Sequence, residues 1–280
     1  MRKVTYIFIF IFIFFGSAGS SYFYFYEKNH SASNNIVLGK NKLDVKIQDD
    51  TQDKIVNDRP LFSKEVFLTF DDGPSVNTLK ILKILDDNNV KATFFVIGDN
   101  VDKYPELIKA EYNDGMTIIN HSYTHQYSMY KSVQSAMADF NKCNVSIKNA
   151  IGLTPLPYLR FPGGSDNTVS YSKIMKDIRD EVAAKGIEYI DWNVDSGDAD
   201  SFRVAAGTID NNLLKQLSNK NFAVTLMHDA PAKTTTVEAL PVIIDYLKKQ
   251  GFVFRTFADL TQTEEKEMIR EKIIDRGISK

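Results

Sequence analysis

The sequence predicts an α/β chain folded as a distorted, incomplete (β/α) barrel. Two observations carry that expectation. From Leu61 onward, short apolar β-prone runs alternate with segments of helical periodicity, as a parallel sheet covered by helices requires. The unusual polar residues fall just after those apolar runs, at the strand ends where such barrels collect their chemistry. About seven units in roughly 200 residues suit a barrel that is incomplete rather than regular.

The elements follow in order. VFLTF (66–70) alternates like a strand and ends on Asp71 and Asp72 before the turn Gly73-Pro74. A helical pattern covers 78–88, ATFFVIG (92–98) reads as a strand, and Pro105 opens a helix after Tyr104. TIIN (117–120) precedes a long helix over 132–151. Next come PYLRF, a helix near 171–184, IEYIDWNV, a helix near 208–217, FAVTLM, a helix over 236–250 and FVFRTF. These place a catalytic domain at 61–262, and TEEKEMIREKIIDRGISK (263–280) reads as an amphipathic C-terminal helix.

Upstream, Arg2 and Lys3 precede an almost unbroken apolar run from Val4 to Phe15, then small residues from Gly16 to Ser21. Residues 1–26 therefore form a signal peptide or an N-terminal membrane anchor. The cluster Tyr22–Tyr26 extends the apolar stretch to about 20 residues with aromatics at its edge, which favours the anchor. Either form puts the rest of the chain outside the cytoplasmic membrane, anchored to it or secreted to the cell wall. Residues 27–60 are polar and without sustained periodicity, a stem with one short strand expected at 43–47.

Bulk properties exclude some functions. Lys and Arg number 34 against 36 Asp and Glu, for a formal net charge of −2, so no nucleic-acid face is indicated. A single cysteine, Cys143, excludes an intramolecular disulfide and a multi-cysteine zinc site.

Five strand ends carry carboxylate, imidazole or guanidinium groups: Asp71-Asp72, His121-Ser-Tyr-Thr-His125, Arg160, Asp195 with Asp198, and His228-Asp229. One such residue means little, but five on one rim make a candidate active site. Two histidines four apart can share one helical face, a weak metal signal alone. With a carboxylate from another strand end they form a common three-ligand set with open positions. A cation at Asp72, His121 and His125 also relieves the repulsion of two adjacent carboxylates, leaving the other for proton transfer. Asp229 reads as a turn cap before Ala230-Pro231.

TFDDGP, HSYTH, RFPGG, DWNVDSGD and LMHD, in this order and spacing, resemble the five motifs of the NodB-type polysaccharide deacetylases, carbohydrate esterase family 4. The resemblance covers about residues 62 to 260. It implies a distorted (β/α) barrel of the NodB-homology type and metal-dependent removal of acetyl groups from polysaccharides. It further implies Asp71 as general base, and Asp72, His121 and His125 as ligands of a divalent metal. Zn²⁺ is the first choice, with Co²⁺, Mn²⁺ or Ni²⁺ as alternatives. Arg160 is expected to orient Asp71, and the Gly163 N–H to face the developing oxyanion. Trp192 and Leu226 are expected to line the acetyl pocket, and His228 to act as general acid paired with Asp198 rather than Asp195. Two departures bear on substrate fit. Gly163 stands where the family commonly carries an aromatic residue, and Ala199 where it often carries Trp. The expected partners are a glycan, peptidoglycan or chitin-like, and the membrane through the N-terminus. N-acetylglucosamine of peptidoglycan is the expected substrate. The alternatives are an O-acetyl esterase on xylan or another glycan, and a non-catalytic glycan-binding relic.

Overall fold

The structure, a computed structural model, describes residues 64–277. The expected leader or anchor, the stem and the strand at 43–47 lie outside the described residues.

Among the described residues nine short strands form one sheet: β1 (Glu65–Phe67), β2 (Thr69–Gly73), β3 (Thr93–Val96), β4 (Thr117–Asn120), β5 (Tyr158–Leu159), β6 (Glu188–Tyr189), β7 (Val194–Asp195), β8 (Phe222–His228) and β9 (Val253–Phe254). Their order is β6-β5-β4-β3-β2-β8-β1-β9, with β7 on β8, and every pairing between them is parallel. β1 and β2 are two halves of one path along β8, which pairs Glu65–Phe67 through Phe222–Val224 and Phe70–Asp71 through Met227–His228. Helices α1 (Thr78–Asp87), α2 (Gly98–Lys103), α3 (Pro105–Asn113), α4 (Val133–Ile151), α5 (Ser172–Ala184), α6 (Ala206–Leu217), α7 (Thr234–Lys249) and α8 (Gln262–Arg270) connect the strands or follow them. The result is an incomplete (β/α) barrel, as the β-α rhythm predicts.

IEYIDWNV does not run as one strand. β6 and β7 are separated at Ile190–Asn193 and do not pair with each other among the described residues, which leaves the barrel open there. The backbone of this gap is bonded instead by the C-terminal segment: the Asp191 N–H donates to the Ile273 carbonyl at 2.7 Å, and Ile190 bridges Ile274 in antiparallel sense.

That contact corrects the expected terminal helix over 263–280. α8 ends at Arg270, where the N–H of Ile273 reaches the carbonyl of Met268 (2.8 Å) and the N–H of Lys272 that of Ile269 (3.0 Å). With Lys272 at φ 60° this is a left-handed helix stop, and it turns Ile273 and Ile274 into the barrel.

Phe67, Phe95, Ile119, Ile190 and Val224 form one buried cluster with Phe257, Met268, Ile273 and Ile274. Phe257 lies 5.1 Å from the Phe67 ring and 6.3 Å from that of Phe95. A second core packs Met137 and Phe140 of α4, and Ile178 and Val182 of α5, on Leu159, Phe161 and Tyr189. Helices α4 and α5 thus pack on one side of the sheet, while aromatic and aliphatic residues with the C-terminal segment fill the other. Among the described residues no helix is long and apolar enough to cross a membrane.

Candidate active site

The doublet at the end of β2 separates into two environments. Asp71 is buried, and its Oδ1 accepts a 2.7 Å bond from Arg160 Nη1. Asp72 has φ 71°, outside strand geometry, so its side chain departs from the alternation of the strand. Its Oδ1 lies 3.2 Å from His125 Nε2 and 3.6 Å from His121 Nε2. The turn after them is tight. A Cβ on Gly73 would lie 2.8 Å from Asp229 Oδ2, so a side chain there would force the hydrogen-bonded Asp229 carboxylate to move.

Arg160 follows β5 and is wholly buried. Its Nη1 also donates to Thr69 Oγ1 (2.8 Å), Nε to the Ile190 carbonyl (3.1 Å) and Nη2 to the Asp191 carbonyl (3.2 Å). The guanidinium also stacks 3.8 Å above the Phe95 ring. Four hydrogen bonds leave Arg160 one position, and that position aims Asp71. Burial pushes the Asp71 carboxyl above its ordinary range, and the charge of Arg160 offsets only part of this.

His121 and His125 sit on a loop after β4 rather than on a helix, because Ser122 (φ 71°) and His125 (φ 54°) adopt left-handed backbone. The loop is pinned from below. Asn120 Oδ1 accepts from the Ser122 N–H (2.8 Å), Ser122 Oγ accepts from the His125 N–H (3.0 Å), and Asp139 of α4 accepts from the Tyr123 N–H and the Thr124 hydroxyl. His121 Nδ1 lies 2.9 Å from the Arg160 carbonyl, so Nδ1 carries the hydrogen and Nε2 keeps its lone pair. Burial, aided by the nearby His125, lowers the His121 pKa to about 3 and keeps the ring neutral.

These residues fit a divalent cation. One ligand atom from each of Asp72, His121 and His125 lies within 4.8 Å of the others. Asp72 Oδ1 is buried and takes no hydrogen bond among the described residues. An orphaned carboxylate oxygen 3.2 and 3.6 Å from two imidazole nitrogens matches the donor set of a divalent metal of zinc-like character.

Across the site, His228 ends β8. Its Nδ1 lies 2.7 Å from Asp198 Oδ1, and its backbone N–H donates to Asp198 Oδ2 at 2.9 Å. Thr236 of α7 donates to the same Oδ2 at 2.8 Å. Burial alone would lower the His228 pKa, but the hydrogen bond and charge of Asp198 outweigh it and raise the value to about 9. Burial likewise opposes the Asp198 charge, yet the bonds from His228 and Thr236 hold its carboxyl below the ordinary range. Asp195 is exposed and accepts from the Gly197 N–H, away from His228. Asp229 does not cap a turn of its own: it is buried and accepts from the Ser75 and Thr78 hydroxyls, tying β8 to the start of α1.

Gly163 has φ 79°, and its N–H has no acceptor among the described residues. Trp192 is half-buried against the barrel core, its ring 5.6 Å from the Arg160 guanidinium. Leu226 is buried on β8 beside Asp195. The β2, β4, β5 and β8 ends thus bring Asp71, Asp72, His121, His125, Arg160 and His228 to one face.

Two supporting residues were given no role from the sequence. Asp191 is buried and accepts from the Ser165 N–H (3.0 Å) and hydroxyl (2.5 Å). Arg276 reaches Asp191 Oδ2 (3.4 Å), Asp166 Oδ2 (3.1 Å) and the Trp192 carbonyl (3.3 Å). An acid inside the apolar run IEYIDW was a legible signal for Asp191, whereas nothing in the sequence marked Arg276.

A family model described as polysaccharide deacetylase matches residues 58–190. A peptidoglycan-N-acetylglucosamine deacetylase of Bacillus cereus is 32% identical over 202 residues, covering 69% of this chain and 69% of that protein. A bifunctional xylanase/deacetylase of Pseudobutyrivibrio xylanivorans is 34% identical over 198 residues, covering 70% of this chain but 30% of that longer protein. Among solved structures, the catalytic domain of peptidoglycan N-acetylglucosamine deacetylase from Eubacterium rectale superposes with a TM-score of 0.66 at 38% identity, covering 71% of this chain and 90% of that one. Fold, motif residues and relatives agree: the chain belongs to the polysaccharide deacetylases of carbohydrate esterase family 4, a family of enzymes.

Proposed function

We propose that the chain is a divalent-metal-dependent N-deacetylase acting on N-acetylglucosamine residues of peptidoglycan, outside the cytoplasmic membrane. The observation that carries the reading is the split of the doublet: Asp71 is bonded to Arg160, while Asp72 faces two imidazoles with an unbonded oxygen. Asp72, His121 and His125 hold the cation, Zn²⁺ in the first place. When bound, it supplies Lewis-acid polarisation of the acetyl carbonyl and makes water more acidic. Asp71, aimed by Arg160, accepts the proton of the attacking water. The unspent N–H of Gly163 donates to the oxygen that gains negative charge. Trp192 and Leu226 line the acetyl pocket. His228, kept charged by Asp198, protonates the departing amine, which leaves poorly without a proton.

Display outside the membrane is supported by Arg2-Lys3 and the apolar run that follows in residues 1–26, with 27–60 as the stem. Peptidoglycan is then the glycan within reach, and relatives named for that substrate support it. The relative joined to a xylanase supports the second reading, an O-acetyl esterase on xylan. The test is acetate release by the full chain, purified in detergent with Zn²⁺ or Co²⁺. The substrates are N-acetylglucosamine oligomers, muropeptides and acetylated xylan. Release from the N-acetylated substrates is expected, and release from acetylated xylan alone would transfer the reading to the esterase.

A further inference from the structure

Tyr127, two residues beyond His125, opens a short 3₁₀ turn (Tyr127–Lys131) on the loop after β4. Its ring centroid lies 6.4 Å from that of His125. Its other end reaches the turn after Arg160: a Cβ on Gly163 would lie 3.1 Å from Tyr127 Oη and 3.5 Å from its Cε1. The phenol therefore already fills the space into which a side chain at position 163 would project. Gly163 and Tyr127 are two halves of one arrangement. The backbone at 163 stays bare at φ 79°, and a ring from another strand end stands over it.

The ring is braced rather than loose. It stacks on Tyr130 at 6.4 Å and 21° between planes, and Tyr130 is buried with its hydroxyl bonded to the Pro162 carbonyl at 3.0 Å. Yet Tyr127 is 49% exposed, and its hydroxyl makes no hydrogen bond among the described residues. A fixed aromatic surface with a free hydroxyl, between a metal-ligand candidate and the Gly163 amide, lies beside the path of any sugar whose acetyl group reaches both.

We propose that Tyr127 is a specificity-determining residue that forms the wall of the subsite for the sugar being deacetylated. Its ring packs on the C–H face of the pyranose, and its hydroxyl hydrogen-bonds a sugar oxygen. It replaces in space the side chain that position 163 lacks. This deepens the deacetylase reading and rests on it.

The test compares the full chain with Tyr127→Phe and Tyr127→Ala on N-acetylglucosamine oligomers in the presence of Zn²⁺. Chitopentaose binding is measured by calorimetry in an Asp71→Asn background. Tyr127→Phe, which keeps the packing, is expected to raise KM about threefold through the lost hydrogen bond. Tyr127→Ala is expected to raise KM about tenfold with kcat within about twofold, and the calorimetric Kd by a similar factor. An active wild type whose KM and Kd are unchanged by Tyr127→Ala overturns this inference alone. So does a loss confined to kcat. A wild type that releases no acetate from any N-acetylated glycan overturns the deacetylase reading and this inference with it.

Discussion

Asp71 and Asp72 both approach His121 Nε2, at 3.7 and 3.6 Å, but only Asp71 is bonded to Arg160 and only Asp72 lies 3.2 Å from His125; the site's histidines also differ from one another. His121 is held neutral with its pKa near 3, whereas His228 is raised to about 9 by Asp198 against the effect of burial. One is suited to ligation and the other to proton donation. The folded-state pKa of His228 exceeds the free value of 6.5. Its protonation therefore stabilises the fold fully below about 6.5, and that contribution is lost as pH rises through about 9. Activity should follow the same group: kcat/KM of the metal-saturated enzyme is expected to fall on an alkaline limb near 9. Asp198→Asn removes the partner that raises the pKa and leaves burial to lower it, so the limb should move down by about 1–3 pH units. A limb unmoved in that variant would assign it to another group. At this scale the polar residues at strand ends were legible, because an acid or imidazole after an apolar run has few bland explanations. Most of their supports were not: Asp139 acts through Tyr123 and Thr124 on another element, nothing marked Arg276, and Tyr127 is an ordinary tyrosine until Gly163 is seen against it.

Among the elements, the segment after α8 supports the site from behind, and it was the least readable. TEEKEMIREKIIDRG keeps a helical pattern past the point where Lys272 turns left-handed, so periodicity alone cannot find the stop. What ends the helix is tertiary: Ile273 and Ile274 gain burial beside Phe257, and the Ile273 carbonyl takes the free N–H of Asp191. The next residue but two, Arg276, then ties Asp191, Asp166 and Trp192 together. Since the Asp191 carbonyl accepts from Arg160, this tail supports the guanidinium that aims Asp71. Arg276→Ala is expected to lower kcat about fivefold, the share of one charge-assisted contact, with metal affinity unchanged and Arg276→Lys partly restoring the rate. Equal kcat in wild type and Arg276→Ala would reduce the contact to surface packing. Phe257→Ala, which empties the space between Phe67 and Phe95, is expected to cost about 3–5 kcal/mol in urea unfolding.

For the molecule as a whole, the β-α rhythm foretold the architecture because each parallel strand needs a crossover, and here the crossovers are helices whose periodicity survives in sequence. It did not foretell the opening between β6 and β7, because IEYIDWNV reads as one β-prone run and the break is bonded by a distant segment. The barrel brings the candidate catalytic residues from four strand ends to one rim. A metal that binds only the folded chain should raise the unfolding free energy, by about 2.7 kcal/mol at a hundredfold excess over Kd, and chelation should abolish acetate release until Zn²⁺ or Co²⁺ is returned. The most direct measurement is metal stoichiometry by equilibrium dialysis together with acetate release, for wild type, Asp71→Asn and His125→Ala side by side. Asp71→Asn is expected to bind one metal per chain yet lose turnover by roughly 10²–10⁴-fold, as removal of a general base does, while His125→Ala loses both. An Asp71→Asn chain that binds metal and turns over like wild type would contradict this division of roles.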